Sequence, residues 1–304
     1  MGWDKEIDEV AYREKLAEKL GGTEKIIRQH EFGKLTIRER VSLISDSQSF
    51  HEIGKLAGVS KYDDNGVLQS FMPSNFVFGT AEIDGRPVIL SGDDFTVRGG
   101  SADASISGKR LQAEGLANEL RLPHIRLIDG MGGGGSVKTI EMSGRTYIPG
   151  VQGWETLVSH LGIAPSVSLA LGSVAGIGAA RVATSHYSII VKNTAQMMIA
   201  GPALVDWASL GEVSKEELGS SDIHTKNGAI DDEALSEEEA FSKARTFLSY
   251  LPTNVDEIPA QLPCNDPTER TESFLREVVP KDPRKVYKMR PIIDAITDNK
   301  SFLR

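Results

Sequence analysis

Three short stretches join an apolar run to a glycine turn: "VRGGSA" (97–102), "DGMGGGG" (129–135) and "SVAGIGA" (173–179). Glycine turns at strand ends that lead into helices present free backbone N–H groups, and the missing side chain lets a substrate carbonyl come close. Amides placed this way stabilise a developing oxyanion. Any one of these turns is equally well a tight connection. Three in order, with no rival catalytic set, point to oxyanion chemistry.

The rival chemistries lack their residues. "GGGGSVKT" (132–139) ends in Lys-Thr, but a phosphate loop needs glycine directly before its lysine, and Val137 stands there. "GIGAAR" (176–181) spaces two glycines like a dinucleotide loop, yet Arg181 takes the third position, where glycine permits close helix–strand packing. No histidine pair has metal-ligand spacing and no Gly-x-Ser-x-Gly elbow occurs, so no bound metal is expected. His124 and His186 read as packed strand residues, and His224 as a turn stabiliser with a functional role as the alternative. Successive strand residues face opposite ways, so Asp93-Asp94 is expected to contain a hydrogen-bonding anchor rather than an acid–base pair.

The elements that would position these turns follow from periodicity and punctuation. Residues 4–30 form a charged amphipathic helix, with Val10, Leu16 and Leu20 on its apolar face and a break at Gly21-Gly22. "LTIRERVSLISD" is a second helix, capped by Thr36 with Glu39 three residues on. Asp63-Asp64-Asn65-Gly66 is a turn. "NFVFGTAEID" and "RPVILSGDDF" are strands joined by a hairpin at Asp84-Gly85. A helix over 101–122, with Leu111, Leu116 and Leu120 on its apolar stripe, precedes the strand "PHIRLID" and the glycine run. "GVQGWETLVSHLG" is helical, "PSVSLALGSVAG" a buried strand, "IGAARVAT" a short helix and "YSIIVKN" a strand. Strand, glycine turn and helix in alternation describe an α/β layer. Residues 231–250 start as an acidic run and continue as a helix. Ser236 and Glu239 form its capping box, and the charges read as a solvated helix start. Beyond Leu251 a proline-rich stretch is expected to run extended over a surface.

The 304 residues carry a net charge of −9, which argues against a nucleic-acid surface. The single cysteine, Cys264, excludes an internal disulfide and fits a reducing compartment. No apolar run approaches a membrane span and the N-terminus has no secretory core, so the expected location is cytoplasmic.

Four ordered motifs give a resemblance: "GDDFTVRGGSADASISGKR" (92–110), "PHIRLIDGMGGGG" (123–135), "APSVSLALGSVAGIGAA" (164–180) and "MMIAGPALVDWASLGEVSKEELGSSDIHTKNGAIDD" (197–232). With "ARTFLSYLP" (244–252), they resemble the N-terminal half of the carboxyltransferase subunit of biotin-dependent acyl-CoA carboxylases. The resemblance implies a crotonase (ClpP-like) α/β fold of stacked sheets with flanking helices and an N-terminal helical arm. It divides the chain into an arm (1–45), an acyl-CoA-binding domain (46–252), and a tail (253–304) that begins the linker to a second half.

The implied function is acyl-CoA binding and enolate stabilisation during carboxyl transfer from carboxybiotin. By motif, Gly176 and Ile177 supply the thioester oxyanion hole. Gly99, Gly100, Ser101, Lys109, Gly132, Gly133 and Gly178 line the acyl-CoA site. The family usually carries glycine where Ile177 stands, and an Asp-Ser-Gly-Gly turn where this chain has Gly130 and Met131 ahead of Gly132. Biotin on a partner protein, a second carboxyltransferase half, a biotin carboxylase or carrier subunit, and an oligomeric assembly are implied with it. The alternatives are a biotin-independent acyl-CoA decarboxylase component and a non-catalytic scaffold.

Overall fold

The computed structural model describes residues 2–101, 107–130, 144, 153–208, 211–261, 264–299 and 301–303. Two compact units make up the chain, Met1–Ile258 and Pro259–Arg304.

The first unit opens with helices α1 (Asp4–Glu18), α2 (Thr23–Glu31) and α3 (Ile37–Ile44). The predicted break falls at Gly21-Gly22, where Gly22 has φ +92°. Thr36 accepts from the Glu39 N–H while the Glu39 carboxylate accepts from the Thr36 N–H, the expected capping box. The expected apolar face of α1 is only partly used: Leu20 is buried but Val10 is exposed.

Strands β1 (His51–Glu52), β2 (Gly58–Tyr62), β3 (Leu68–Pro73), β4 (Phe76–Ile83) and β5 (Arg86–Asp93) follow. The Asp63–Gly66 turn closes an antiparallel β2–β3 ribbon that the sequence reading left out. Asp84 (φ +51°) and Gly85 (φ +73°) close the β4–β5 hairpin, the two left-handed residues of a primed turn.

Next come α4 (Ser107–Leu120), β6 (His124–Ile128), α5 (Trp154–His160), β7 (Ser166–Ala170), β8 (Ser173–Ala175), α6 (Ile177–Ala183), β9 (Tyr187–Val191) and β10 (Gln196–Met198). Short helices α7 (Pro202–Trp207), α8 (Lys215–Gly219) and α9 (Ser221–Asn227) lead to β11 (Asp232–Ala234) and α10 (Glu237–Ser249). The main sheet runs β1-β4-β5-β6-β7-β9-β11. Its β1, β4 and β5 pair antiparallel, and the rest pair parallel. Every residue of β6, β7 and β9 is buried, as strands covered on both faces require. The α/β expectation is met.

Three local expectations change. "PSVSLALGSVAG" is two strands, since β8 leaves the main sheet and pairs with β10. On α4 the buried positions are Lys109, Ala113, Glu114 and Ala117, while Leu120 is exposed. Ala113 packs with Phe76 and Phe78 of β4, and Leu116 of the expected stripe packs against the same cluster. The acidic run is not simply solvated: Asp232 and Glu233 belong to β11, and Glu237 is buried. Ser236 caps α10 through the Glu239 N–H, but the Glu239 carboxylate takes the Leu235 N–H instead.

The second unit contains a short 3-10 turn (Ser273–Arg276) and α11 (Arg290–Ile296). Arg270 organises it, bonding Asp266 at 2.7 Å and the Thr297 carbonyl at 2.9 Å. Among the described residues no helix is long and apolar enough to cross a membrane.

Candidate active site

The carboxyl ends of adjacent parallel strands are where α/β sheets place ligands. Here β5, β6 and β8 each lead on to a glycine turn, and the described parts of those turns meet. A Cβ on Gly100 would lie 2.5 Å from the Asp129 carbonyl oxygen, and one on Gly130 would lie 2.5 Å from the Gly100 carbonyl oxygen. A Cβ on Gly178 would stand 3.2 Å from the Gly130 carbonyl oxygen. Gly100, Gly130 and Gly178 therefore form one backbone cluster that tolerates no side chain at its first two positions.

The first turn is held from both ends. Arg98, Gly99 and Gly100 all have left-handed φ (+55°, +64° and +63°). Asn75 Nδ2 donates to the Ser101 carbonyl at 2.7 Å, and Asp94 accepts from the N–H and hydroxyl of Thr96. Asp94 is buried with Oδ2 unpaired among the described residues, and burial pushes its carboxyl above the usual range. Asp93 accepts from Arg110 at 2.6 Å and from the Asp129 N–H at 3.3 Å. Both aspartates act as anchors.

At the third turn Gly176 takes φ +60°, ψ −123° as the N-cap of α6. Its N–H donates to the Met198 carbonyl at 3.1 Å. The amides that open α6 without an intrahelical partner start at Ile177 and Gly178, beside Gly130. Side-chain bulk at Ile177 leaves that N–H in place.

A buried charge cluster supports the middle turn, and sequence reading missed it. Asp129 ends β6 and has no exposed side-chain surface. It accepts from Lys34 Nζ at 3.0 and 3.1 Å, Arg40 Nη1 at 2.9 Å and Gln29 Nε2 at 3.1 Å. Arg40, itself fully buried, grips Glu237 with Nε at 2.6 Å and Nη2 at 2.7 Å, and reaches the Leu171 carbonyl at 3.2 Å. Burial alone would lower the Arg40 pKa, but Asp129 and Glu237 more than offset it and hold the guanidinium charged. Burial lowers the Lys34 pKa, opposed by Asp129; its Nζ also sits 3.9 Å from the centre of the Phe95 ring. The one available signal was "GKLTIRER", where Arg40 falls on the same helix face as Ile37, Val41 and Ile44.

The other predicted residues are placed as follows. Lys109 is buried on the first turn of α4, against Gly54 and 6.0 Å from the Phe78 ring centre. No described residue accepts a hydrogen bond from it, and burial lowers its pKa to about 8. Its side chain therefore lies toward β4, not at the glycine cluster. Gly132 and Gly133, with Lys138, lie outside the described residues. His124 is a packed core residue bonded to Ser91 at 2.8 Å, with its pKa well below the usual value through burial. His186 Nδ1 accepts the Ser166 N–H, and His224 bonds the Met197 carbonyl from helix α9 rather than from a turn. Cys264 is exposed and free.

Comparison with known proteins agrees with this arrangement. Residues 28–304 match the carboxyl transferase domain. The carboxyltransferase subunit of propionyl-CoA carboxylase from Haloferax mediterranei is 31% identical over 305 residues, covering 99% of this chain and 58% of that protein. The alpha subunit of methylmalonyl-CoA decarboxylase from Veillonella parvula is 30% identical, covering 95% of this chain and 56% of that protein. Transcarboxylase 12S, solved with methylmalonyl-coenzyme A and methylmalonic acid bound, superposes with a TM-score of 0.79 at 26% identity. That match covers 98% of this chain and 57% of the other. The chain thus spans little more than half the length of the relatives it matches. With its mixed sheet, its flanking helices and nearly all of its length matched, this chain belongs to the carboxyl transferase domain family.

Proposed function

We propose that this chain is the N-terminal carboxyltransferase half of a biotin-dependent acyl-CoA carboxylase. It binds an acyl-CoA and stabilises the thioester enolate during carboxyl transfer. The observation that carries this reading is the convergence of Gly100, Gly130 and Gly178 at the amides that open α6. A thioester oxygen seated there would accept from the Ile177 N–H and its neighbour at Gly178, since the Gly176 N–H is engaged by Met198. Preorganised donors of this kind lower the barrier to enolate formation without a side-chain base. Gly99, Ser101 and the glycines at 132 and 133 complete the acyl-CoA side. Lys109 contributes to CoA binding only if its side chain leaves its present seat.

Among the described residues no second cluster of touching glycine turns occurs. A second seat of this kind, for carboxylated biotin, is therefore not found among the described residues. A biotin-bearing partner and a second carboxyltransferase half would supply that side, within an oligomer like the hexamer described for transcarboxylase 12S. The single cysteine fits a reducing, cytoplasmic location.

A decarboxylase component is the second reading. The Veillonella parvula relative favours it, at an identity almost equal to that of the carboxylase subunit. The same amide cluster serves both directions, because loss of carbon dioxide from a malonyl-type thioester passes through the same enolate.

Titration calorimetry with propionyl-CoA tests the reading. The chain, with its second half present, should bind propionyl-CoA, and Gly178→Val should abolish binding by filling the space beside Gly130. Absence of heat from the unsubstituted protein would sink it.

A further inference from the structure

We propose that Lys34 and Arg40, on the N-terminal arm, are positioning residues for the glycine cluster and act on it through Asp129. The proposal rests on the acyl-CoA reading above and extends it to residues that do not touch the cluster.

Among the described residues the Asp129 carboxylate is held only from the arm: by Gln29 on α2, Lys34 between α2 and α3, and Arg40 on α3. Arg40 also holds the Leu171 carbonyl, just past the end of β7. The arm therefore grips the two strand ends that run on to Gly130 and Gly176. The carboxylate has one seat, because a Cβ on Gly172 would lie 1.9 Å from Asp129 Oδ1 and 2.9 Å from Lys34 Nζ. Gly92 opens the same seam, where a Cβ would meet Ile37 Cδ1 at 2.3 Å. The Asp129 backbone continues the linkage: its carbonyl oxygen and the Cα of Gly130 pack on Gly100. Any shift of the carboxylate is passed on to the cluster through one residue of covalent backbone.

Charge bookkeeping supports geometry over mere adhesion. Lys34 and Arg40 balance Asp129 and Glu237, all four buried. Apolar residues of similar volume would hold a seam at least as well, whereas four charges fix one arrangement. Removing Lys34 leaves a net negative charge beside the turn that must receive a developing oxyanion.

The test compares affinities for propionyl-CoA and for free CoA by calorimetry, in the unsubstituted protein and in Lys34→Met. A positioning role predicts that preference for the thioester over free CoA falls by roughly tenfold, with free-CoA affinity unchanged. Lys34→Arg should recover part of the preference. Thr36→Ala, which uncaps α3 without touching Asp129, should leave it intact. If Lys34→Met does not fold, Gln29→Leu removes one Asp129 donor and is read the same way. A folded variant with an unchanged preference overturns the proposal, as does an equal loss for both ligands. If the unsubstituted protein binds neither ligand, it is the acyl-CoA reading that fails.

Discussion

Arg40 shows how much a single buried side chain can carry. Its guanidinium bonds two buried carboxylates, Asp129 just past β6 and Glu237 at the start of α10. Removing one partner of a buried pair typically costs about 3–5 kcal/mol, because the other charge is left uncompensated. Arg40→Leu should lose that much in urea unfolding, and Arg40→Leu with Glu237→Leu should recover part of it. Lys109 makes the opposite prediction. Its pKa falls from 10.5 to about 8 on folding, so between those values the unfolded chain binds more protons and stability rises with pH. Below about pH 8 the full cost of burying the charge is present. Lys109→Met should therefore be more stable than the parent at pH 7, on the order of 1–3 kcal/mol. The gap should close as pH rises toward 10.5. A gap equal at pH 7 and pH 10 would show that burial of the charge is not its source. Such a residue was invisible as a core position in the sequence, because lysine on a helix start reads as solvated.

At the scale of elements, the turns were legible and their meeting was not. Gly21-Gly22, Thr36 with Glu39 and Asp84-Gly85 each act within a few residues, and each was found where local chemistry put it. The split of "PSVSLALGSVAG" into β7 and β8 depends on Gly172 yielding space to Asp129, a contact across the fold that periodicity does not encode. The same holds for α4, whose Ala113 packs into the Phe76–Phe78 cluster of β4 while Leu120 of the expected stripe is exposed. The glycine cluster gives an element-level prediction. Gly100→Ala places a Cβ 2.5 Å from the Asp129 carbonyl oxygen at φ +63°, so it is opposed both by space and by backbone conformation. It should cost on the order of 1–3 kcal/mol and weaken propionyl-CoA binding. Gly85→Ala, strained at φ +73° but with nothing within 4 Å, should lose stability and keep its affinity.

For the whole molecule, the arm is built into the same compact body as the main sheet, Met1–Ile258, rather than appended to it. The family was legible because four glycine-bearing motifs keep their order between residues 92 and 232. The charge cluster that binds arm to sheet was not, because its members lie 89 to 197 residues apart in sequence. The thioester oxygen is proposed to sit at the amides opening α6, against Gly100 and Gly130. A crystal structure with a non-hydrolysable propionyl-CoA analogue would locate it. The carbonyl oxygen should lie within about 3 Å of the Ile177 nitrogen. A thioester bound away from these turns, with the α6 amides facing only solvent, would contradict it.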